Sequence, residues 1–327
     1  MKVIILTEGS RDIGFGHVTR CVSLYQAFQE RGIEPFLVIN GDDSIKGLVE
    51  GLNYEITNWL EKDKLKIIEG CDVVIIDSYL AGKEIYEYVS EHVKAPVYID
   101  DYNRLEYPRG IVVNGGIHAH KLNYPKRKDV TYLLGTEYMP LRKPFWDVPK
   151  KEIREKVESV LITFGGDDVR NLTPKVLSML RENFPQLNKR VVIGRGFRNI
   201  EEIKACADGN TELIFYPDAE EIKNLMLESD IAISAGGQTL YELARVGVPT
   251  VAVAVAENQL ESVFGLNEAG VVKYAGKWQE KRLFNQLKEF INFMMNIDVR
   301  KKLHLQAKKL VDGKGSLNIV SYLLRCV

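Results

Sequence analysis

The chain has 327 residues, 45% of them hydrophobic, and its 44 Lys and Arg against 45 Asp and Glu leave a formal net charge of −1. That length calls for two domains with full cores, and the balanced charge gives no reason to expect nucleic acid or an anionic membrane as a partner. The four cysteines, Cys21, Cys71, Cys206 and Cys326, are scattered with no CxxC pair, so they read as reduced thiols rather than a disulfide framework or a zinc site. Met1 leads directly into a strand, and no apolar run approaches the roughly 20 residues of a spanning helix. The expectation is a cytoplasmic protein with no transmembrane segment.

Val3-Ile4-Ile5-Leu6 is short, β-branched and uncharged, which reads as a buried parallel strand. Val18, Cys21, Val22, Leu24, Tyr25 and Phe28 then recur at helical spacing, with Arg31-Gly32 as the stop. A loop carrying Gly14 and Gly16 joins the two, and His17 stands where the helix begins. Free N–H groups and the dipole make that position an anion site. Gly14 and Gly16 keep Cβ atoms out of a ligand's path. The positive end of the dipole biases His17 toward the neutral imidazole that a general base needs.

Further strands are expected at 35–39, 54–56, 72–77, 96–101, 111–114 and 132–135, with short helices at about 44–50 and 60–69 and a longer one through Ile85, Tyr86, Val89 and Val93. Polar residues stand at the carboxyl ends: Asp77-Ser78-Tyr79, Asp100-Asp101 and Asn114. Each alone is turn chemistry. As a set on one rim, they suggest the wall of a cleft. In a strand, Asp100 and Asp101 point to opposite faces and should not act as a pair. His118 and His120 lack a third ligand, so no metal centre is expected.

The segment 140–151 holds three prolines and little periodicity and reads as a linker. It separates a domain at 1–145 from one at 152–327, whose last helix could pack back on the first. The charged run 150–158 reads as solvated. The second half begins again with a strand and a glycine loop, Val160 to Phe164 and then Gly165-Gly166-Asp167-Asp168, and continues with strands at 190–194, 212–216, 230–234 and 247–253. Everything from Gln279 onward reads as helical. Strands alternate with helices throughout, so the fold class is α/β, with two Rossmann-like doubly wound domains.

Ser234-Ala235-Gly236-Gly237-Gln238-Thr239 is the strongest anion cradle in the chain. A strand ends at two glycines, a helix starts with its N–H groups exposed, and Ser234, Gln238 and Thr239 add side-chain donors, which suits a diphosphate. Glu242 lies one turn on, placed to accept from ribose hydroxyls. It is not the P-loop pattern, and the first loop has Thr19 where a dinucleotide fingerprint needs its third glycine. No cofactor is expected.

Gly14-Phe15-Gly16-His17-Val18-Thr19-Arg20-Cys21 resembles the opening signature of the nucleotide-sugar hydrolases of pseudaminic acid biosynthesis and the related spore-coat-polysaccharide proteins. The resemblance continues through Asp77-Ser78-Tyr79, Ile99-Asp100-Asp101, Leu134-Gly135 to Leu141-Arg142, Phe164 to Asp168, Ser234 to Glu242 and Ala256-Glu257-Asn258-Gln259, as far as about Gly270. The chain departs from the pattern at Asp101-Tyr102-Asn103-Arg104, at Gly115-Gly116-Ile117 and after Gly276. The resemblance implies a glycosyltransferase-B fold with a cleft between its domains, the second holding UDP and the first facing the sugar. His17 matches the catalytic histidine. Gly236, Gly237 and Gln238 match the diphosphate loop, Glu242 the ribose-binding acid, Asn258 and Gln259 the polar pair near the sugar or diphosphate, and Gly165 and Gly166 the second-domain loop. Gly14, Gly16, Arg20, Asp77, Tyr79, Asp101, Asn114, Ser234 and Thr239 complete the expected binding set. The implied activity is hydrolysis of a UDP-linked amino or deoxy sugar with His17 as general base. A glycosyltransferase or epimerase using the same donor site is the nearest alternative, and a non-catalytic sugar-nucleotide sensor the alternative from another class.

Overall fold

Seven strands build the first sheet of the computed structural model: β1 (Val3–Gly9), β2 (Phe36–Gly41), β3 (Tyr54–Ile56), β4 (Val73–Asp77), β5 (Ala95–Ile99), β6 (Gly110–Asn114) and β7 (Val130–Leu134). All pair in parallel, in the order β3-β2-β1-β4-β5-β6-β7. Helices α1 (Gly16–Gln29), α2 (Lys46–Val49) and α3 (Lys83–His92) make the returns. β1 lies between β2 and β4, so the winding reverses there. In open parallel sheets the carboxyl ends of the two strands at such a reversal are where ligands bind. The structure describes residues 1–327, the side chain of Lys62 excepted.

The second sheet repeats the plan with β8 (Ser159–Thr163), β9 (Asn188–Ile193), β10 (Thr211–Phe215), β11 (Ile231–Ala235), β12 (Thr250–Ala254) and β13 (Val272–Lys277), in the order β10-β9-β8-β11-β12-β13. Its reversal falls between β8 and β11. The helices are α4 (Thr173–Asn183), α5 (Ile200–Cys206), α6 (Ala219–Glu228), α7 (Thr239–Val246), α8 (Leu260–Glu268), α9 (Leu283–Met294) and α10 (Ile297–Leu310). Val160, Ile162, Val191, Ile233 and Val251 are buried in one core with Leu177 and Leu180 of α4 and Leu287 and Ile291 of α9.

Two compact units result: Met1–Lys143 with Gly313–Val327, and Pro144–Asp312. The terminal helix α11 (Gly315–Cys326) therefore belongs to the first unit, where it packs on α1. Arg31 donates to Ser321 Oγ at 3.0 Å, and a Cβ on Gly315 would stand 2.0 Å from the Met139 carbonyl oxygen. The sequence reading runs the second domain to 327 while allowing its last helix to pack back on the first. The chain leaves the second unit at Asp312, and α11 does return to the first.

Three local expectations are corrected. The stretches at 44–50 and 60–69 form little α-helix: the first is a 3-10 turn with one α turn and the second is 3-10 throughout (Lys62–Ile68). β13 is an edge strand with no counterpart in the sequence reading; it carries Lys273 and Lys277, and its pairing to β12 shifts between Ala252 and Val253. Lys151 is 5% exposed rather than solvated. Its ammonium donates to the carbonyls of Met226, Leu227 and Ser229 at 3.1, 2.7 and 2.6 Å, closing the negative end of α6. Burial lowers its pKa to about 8.

Candidate active site

Residues converge on the reversal point of the first sheet. Gly14 turns the loop after β1 with φ +92°, a conformation that excludes a Cβ, and its N–H donates to the Ser10 carbonyl at 2.8 Å. Ser10 Oγ accepts from the N–H groups of Asp12 and Ile13 at 3.2 and 3.1 Å. α1 then starts at Gly16, placing His17 in its first turn. His17 and Arg20, three residues apart, share a helix face, and that face meets the end of β4.

Asp77 is the last residue of β4 and its side chain is fully buried. Its Oδ1 lies 2.6 Å from His17 Nδ1. Arg20 closes on both oxygens, Nε to Oδ2 at 2.5 Å and Nη2 to Oδ1 at 2.6 Å. Arg20 also holds Asp101 through Nη1 to Oδ1 at 2.7 Å and Nη2 to Oδ2 at 2.9 Å. Asp101 further accepts from the Tyr79 hydroxyl, and the Tyr79 ring meets His17 edge-on with centroids 4.4 Å apart. A carboxylate at 2.6 Å can only accept, so Nδ1 carries a proton, and in the neutral form of the ring Nε2 is the nitrogen with the lone pair.

Burial alone would raise the Asp77 carboxyl. The Arg20 charge, then His17, outweigh it and hold the group well below the usual carboxylate range. For Asp101, burial again opposes and Arg20 again wins. Both folded-state pKa values lie below the unfolded ones. Their stabilisation is therefore complete above the ordinary carboxylate pKa of about 4 and is lost as pH falls through the depressed values. The thermal midpoint should hold from neutral pH to about 5 and drop below about 4, in a scanning series across that range.

Asp100 and Asp101 serve different sides. Asp100 accepts from the N–H groups of Asn103 and Arg104 at 2.7 and 3.1 Å and from the Tyr107 hydroxyl at 2.8 Å, which makes it the anchor of the following loop. Asn114 was expected on the binding rim. It is 1% exposed, donates to Tyr124 Oη at 3.0 Å and accepts from the Gly116 N–H at 2.9 Å, so its amide is spent inside its own loop. Glu8 went unread because it follows the apolar run of β1. It is 1% exposed and takes the Tyr79 N–H at 2.7 Å and the Ser78 hydroxyl, fixing the turn that carries Tyr79.

In the second unit the reversal point is flanked by the loops after β8 and β11. Gly165 has φ +80°. The carbonyl of Gly166 accepts from Gly196 N–H at 2.9 Å, and a Cβ on Gly194 would stand 2.3 Å from it. After β11, Gly236 is packed: a Cβ there would lie 2.5 Å from Val263 Cγ2. Gly237 is open, with Gln259 Nε2 as the nearest atom at 3.9 Å. Gln238 immediately precedes α7, whose first turn holds Thr239 and the 2%-exposed Glu242.

Two expected ligand donors are redirected. Ser234 is fully buried and its hydroxyl donates to the Ala235 carbonyl at 3.1 Å. Gln259 Oε1 accepts from the N–H groups of Gly236 and Val255 at 3.2 and 3.0 Å. Gln259 thus pins the loop, while the adjacent Asn258 is exposed. Among the described residues there is no group of three or more His, Cys, Asp or Glu placed to hold a metal ion, and no helix is long and apolar enough to cross a membrane.

Residues 159–312 match the glycosyltransferase family 28 C-terminal domain. Across the chain, an uncharacterized protein of Methanocaldococcus jannaschii is 29% identical over 80% of this sequence. The pseudaminic acid cytidylyltransferase and UDP-2,4-diacetamido-2,4,6-trideoxy-beta-L-altropyranose hydrolase of Helicobacter pylori is 26% identical over 96%. The chain spans little more than half the length of these relatives, 57% and 54%. It spans 97% of the UDP-2,4-diacetamido-2,4,6-trideoxy-beta-L-altropyranose hydrolase of Campylobacter jejuni, at 23% identity over 83% of this chain. Among solved structures, MnaA of S. aureus in a structure with UDP superposes with a TM-score of 0.69 at 16% identity, covering 100% of this chain and 98% of that one. The fold is of the glycosyltransferase-B type, two parallel-sheet α/β units.

Proposed function

We propose that the chain hydrolyses a UDP-linked amino or deoxy sugar to the free sugar and UDP, in the cytoplasm, as a step of surface-polysaccharide or nonulosonic-acid biosynthesis. The observation that carries this reading is the 2.6 Å contact between His17 Nδ1 and the buried Asp77. It orients the ring and leaves Nε2 as a base. In the proposed step Nε2 takes a proton from water as the water oxygen bonds to the anomeric carbon. The bond from that carbon to the diphosphate oxygen breaks, and its electron pair leaves with UDP. In the second unit, the first-turn N–H groups of α7 beside the open Gly237 form a cradle suited to a diphosphate. Two relatives whose names include such a hydrolase support the reaction type.

The test is UDP release in water from UDP-linked amino and diacetamido sugars by the wild type and His17→Ala. Release without an acceptor, reduced at least 100-fold in the variant, is the expected result. The family 28 match favours one second reading, transfer from the same donor site. Release only after an acceptor is added would replace hydrolysis by transfer. UDP binding with no release under either condition would leave the sensor.

A further inference from the structure

Away from the chain ends, the large apolar side chains exposed on the first unit among the described residues are Ile13 at 40%, Leu80 at 54% and Tyr102 at 43%. Single exposed apolar residues need no explanation. These three, however, sit on the loops that follow β1, β4 and β5, which are neighbours in the sheet. The first of these loops leads into α1 and His17, and the other two carry Tyr79 and Asp101. Among the described residues, the large apolar exposure of this unit outside its termini is therefore gathered at the edge that bears the candidate base.

Tyr102 is the best fixed of the three. Its ring meets Tyr79 edge-on with centroids 5.5 Å apart, and Tyr79 meets His17 in the same way. On one side, Asp101 is clamped by Arg20. On the other, Asn103 has φ +59°, a conformation uncommon for a residue with a side chain. It is held there because its N–H and that of Arg104 are both taken by Asp100, and its amide donates to the Asn123 carbonyl at 3.1 Å. A half-exposed aromatic residue between two such anchors is preorganised, and it loses little entropy when a ligand covers it. This is also where the sequence departs from the pattern it otherwise resembles.

We propose that Tyr102, with Leu80 and Ile13 on the loops after the neighbouring strands, is the platform on which the first unit seats the sugar ring, and that it determines which sugars reach His17. This rests on the reading of the site as one for a sugar nucleotide. An aromatic face packs against ring C–H groups and methyls. A donor carrying deoxy or acetamido positions therefore gains more from Tyr102 than one carrying hydroxyls there.

The experiment is calorimetric titration of UDP and of UDP-linked sugars into proteins with His17→Ala, so that donors stay intact, with and without Tyr102→Ala or Tyr102→Phe. The quantity read is the ratio of the UDP Kd to the UDP-sugar Kd. The expected result is that Tyr102→Ala lowers this ratio at least tenfold and leaves the UDP Kd unchanged, Tyr102→Phe keeps the ratio, and the loss is greater for 6-deoxy than for 6-hydroxy donors. The proposal is overturned if the ratio is the same in Tyr102→Ala, if donors bind no more tightly than UDP in the parent, or if UDP affinity falls by the same factor as sugar affinity. Wild-type turnover tests the hydrolase reading separately. Turnover with an unchanged ratio would reject the platform alone, and a Tyr102-dependent ratio without turnover would reject hydrolysis alone.

Discussion

Asp77→Asn should slow UDP release by a factor of roughly 10² to 10⁴, about as much as His17→Ala, although the imidazole is still present. Asp77 is fully buried, so the effect cannot come from a lost contact with substrate. It comes from what the carboxylate does to the ring. Both Asp77 oxygens accept, and Oδ1 serves His17 and Arg20 together. An amide offers one accepting oxygen and puts an NH₂ group against either the guanidinium or the imidazole. If it faces His17, the proton moves to Nε2 and the base is lost. If it faces Arg20, two donors oppose each other in a buried site. Stability should also fall, on the order of 3 kcal/mol, because Arg20 keeps only Asp101 as counter-charge. Urea titration gives that figure, and kcat measured where the variant is fully folded separates it from catalysis. Asp101→Asn is the comparison: it weakens the clamp on Arg20 but leaves the bond from Asp77 to His17, so kcat should fall less. If Asp77→Asn keeps more than a tenth of wild-type kcat, then Asp77 does not set the tautomer of His17.

The strands were legible because each is a short β-branched run closed by polar or glycine residues. The exception, β13, is an edge strand bearing lysines, whose pattern competes with a loop reading. The glycine loop after the first strand of each half was legible too, but the strand order that makes it a reversal point was not. What the sequence could not convey was which polar groups were already committed. Asp77, Asp101 and Asn114 are all strand-end residues of similar appearance. Yet Asp77 orients His17, Asp101 holds Arg20 and Tyr79, and Asn114 is consumed by Tyr124 and Gly116. Those assignments depend on which loop lies opposite, which is tertiary information. Arg20 could have been paired with His17 from helical spacing alone, because residues three apart share a face. Glu8 had no such signal. The return of α11 to the first unit rests on packing against α1 and was raised in the sequence only as an option.

The two adjacent glycines of the second unit should separate packing from binding. Gly236→Ala places a methyl 2.5 Å from Val263 Cγ2 on the buried face of α8. It should cost about 1–3 kcal/mol of stability by overpacking, and UDP affinity should fall with the displaced loop. Gly237→Ala meets nothing nearer than 3.9 Å in the free protein, so its unfolding midpoint should match the wild type within about 0.5 kcal/mol. If the diphosphate lies against this backbone at the start of α7, the new methyl occupies the ligand's own space, and UDP should bind at least tenfold more weakly, a change of about 1.4 kcal/mol. Gln259→Leu is the complementary change. It removes the acceptor from two backbone N–H groups, Gly236 and Val255, at about 1–3 kcal/mol for each group left unsatisfied. Stability and UDP affinity should then fall together. Calorimetric titration of UDP alongside urea unfolding reads all three variants. A Gly237→Ala protein of native stability and undiminished UDP affinity would show that the Gly236-Gly237 turn is structural and that the diphosphate is held elsewhere.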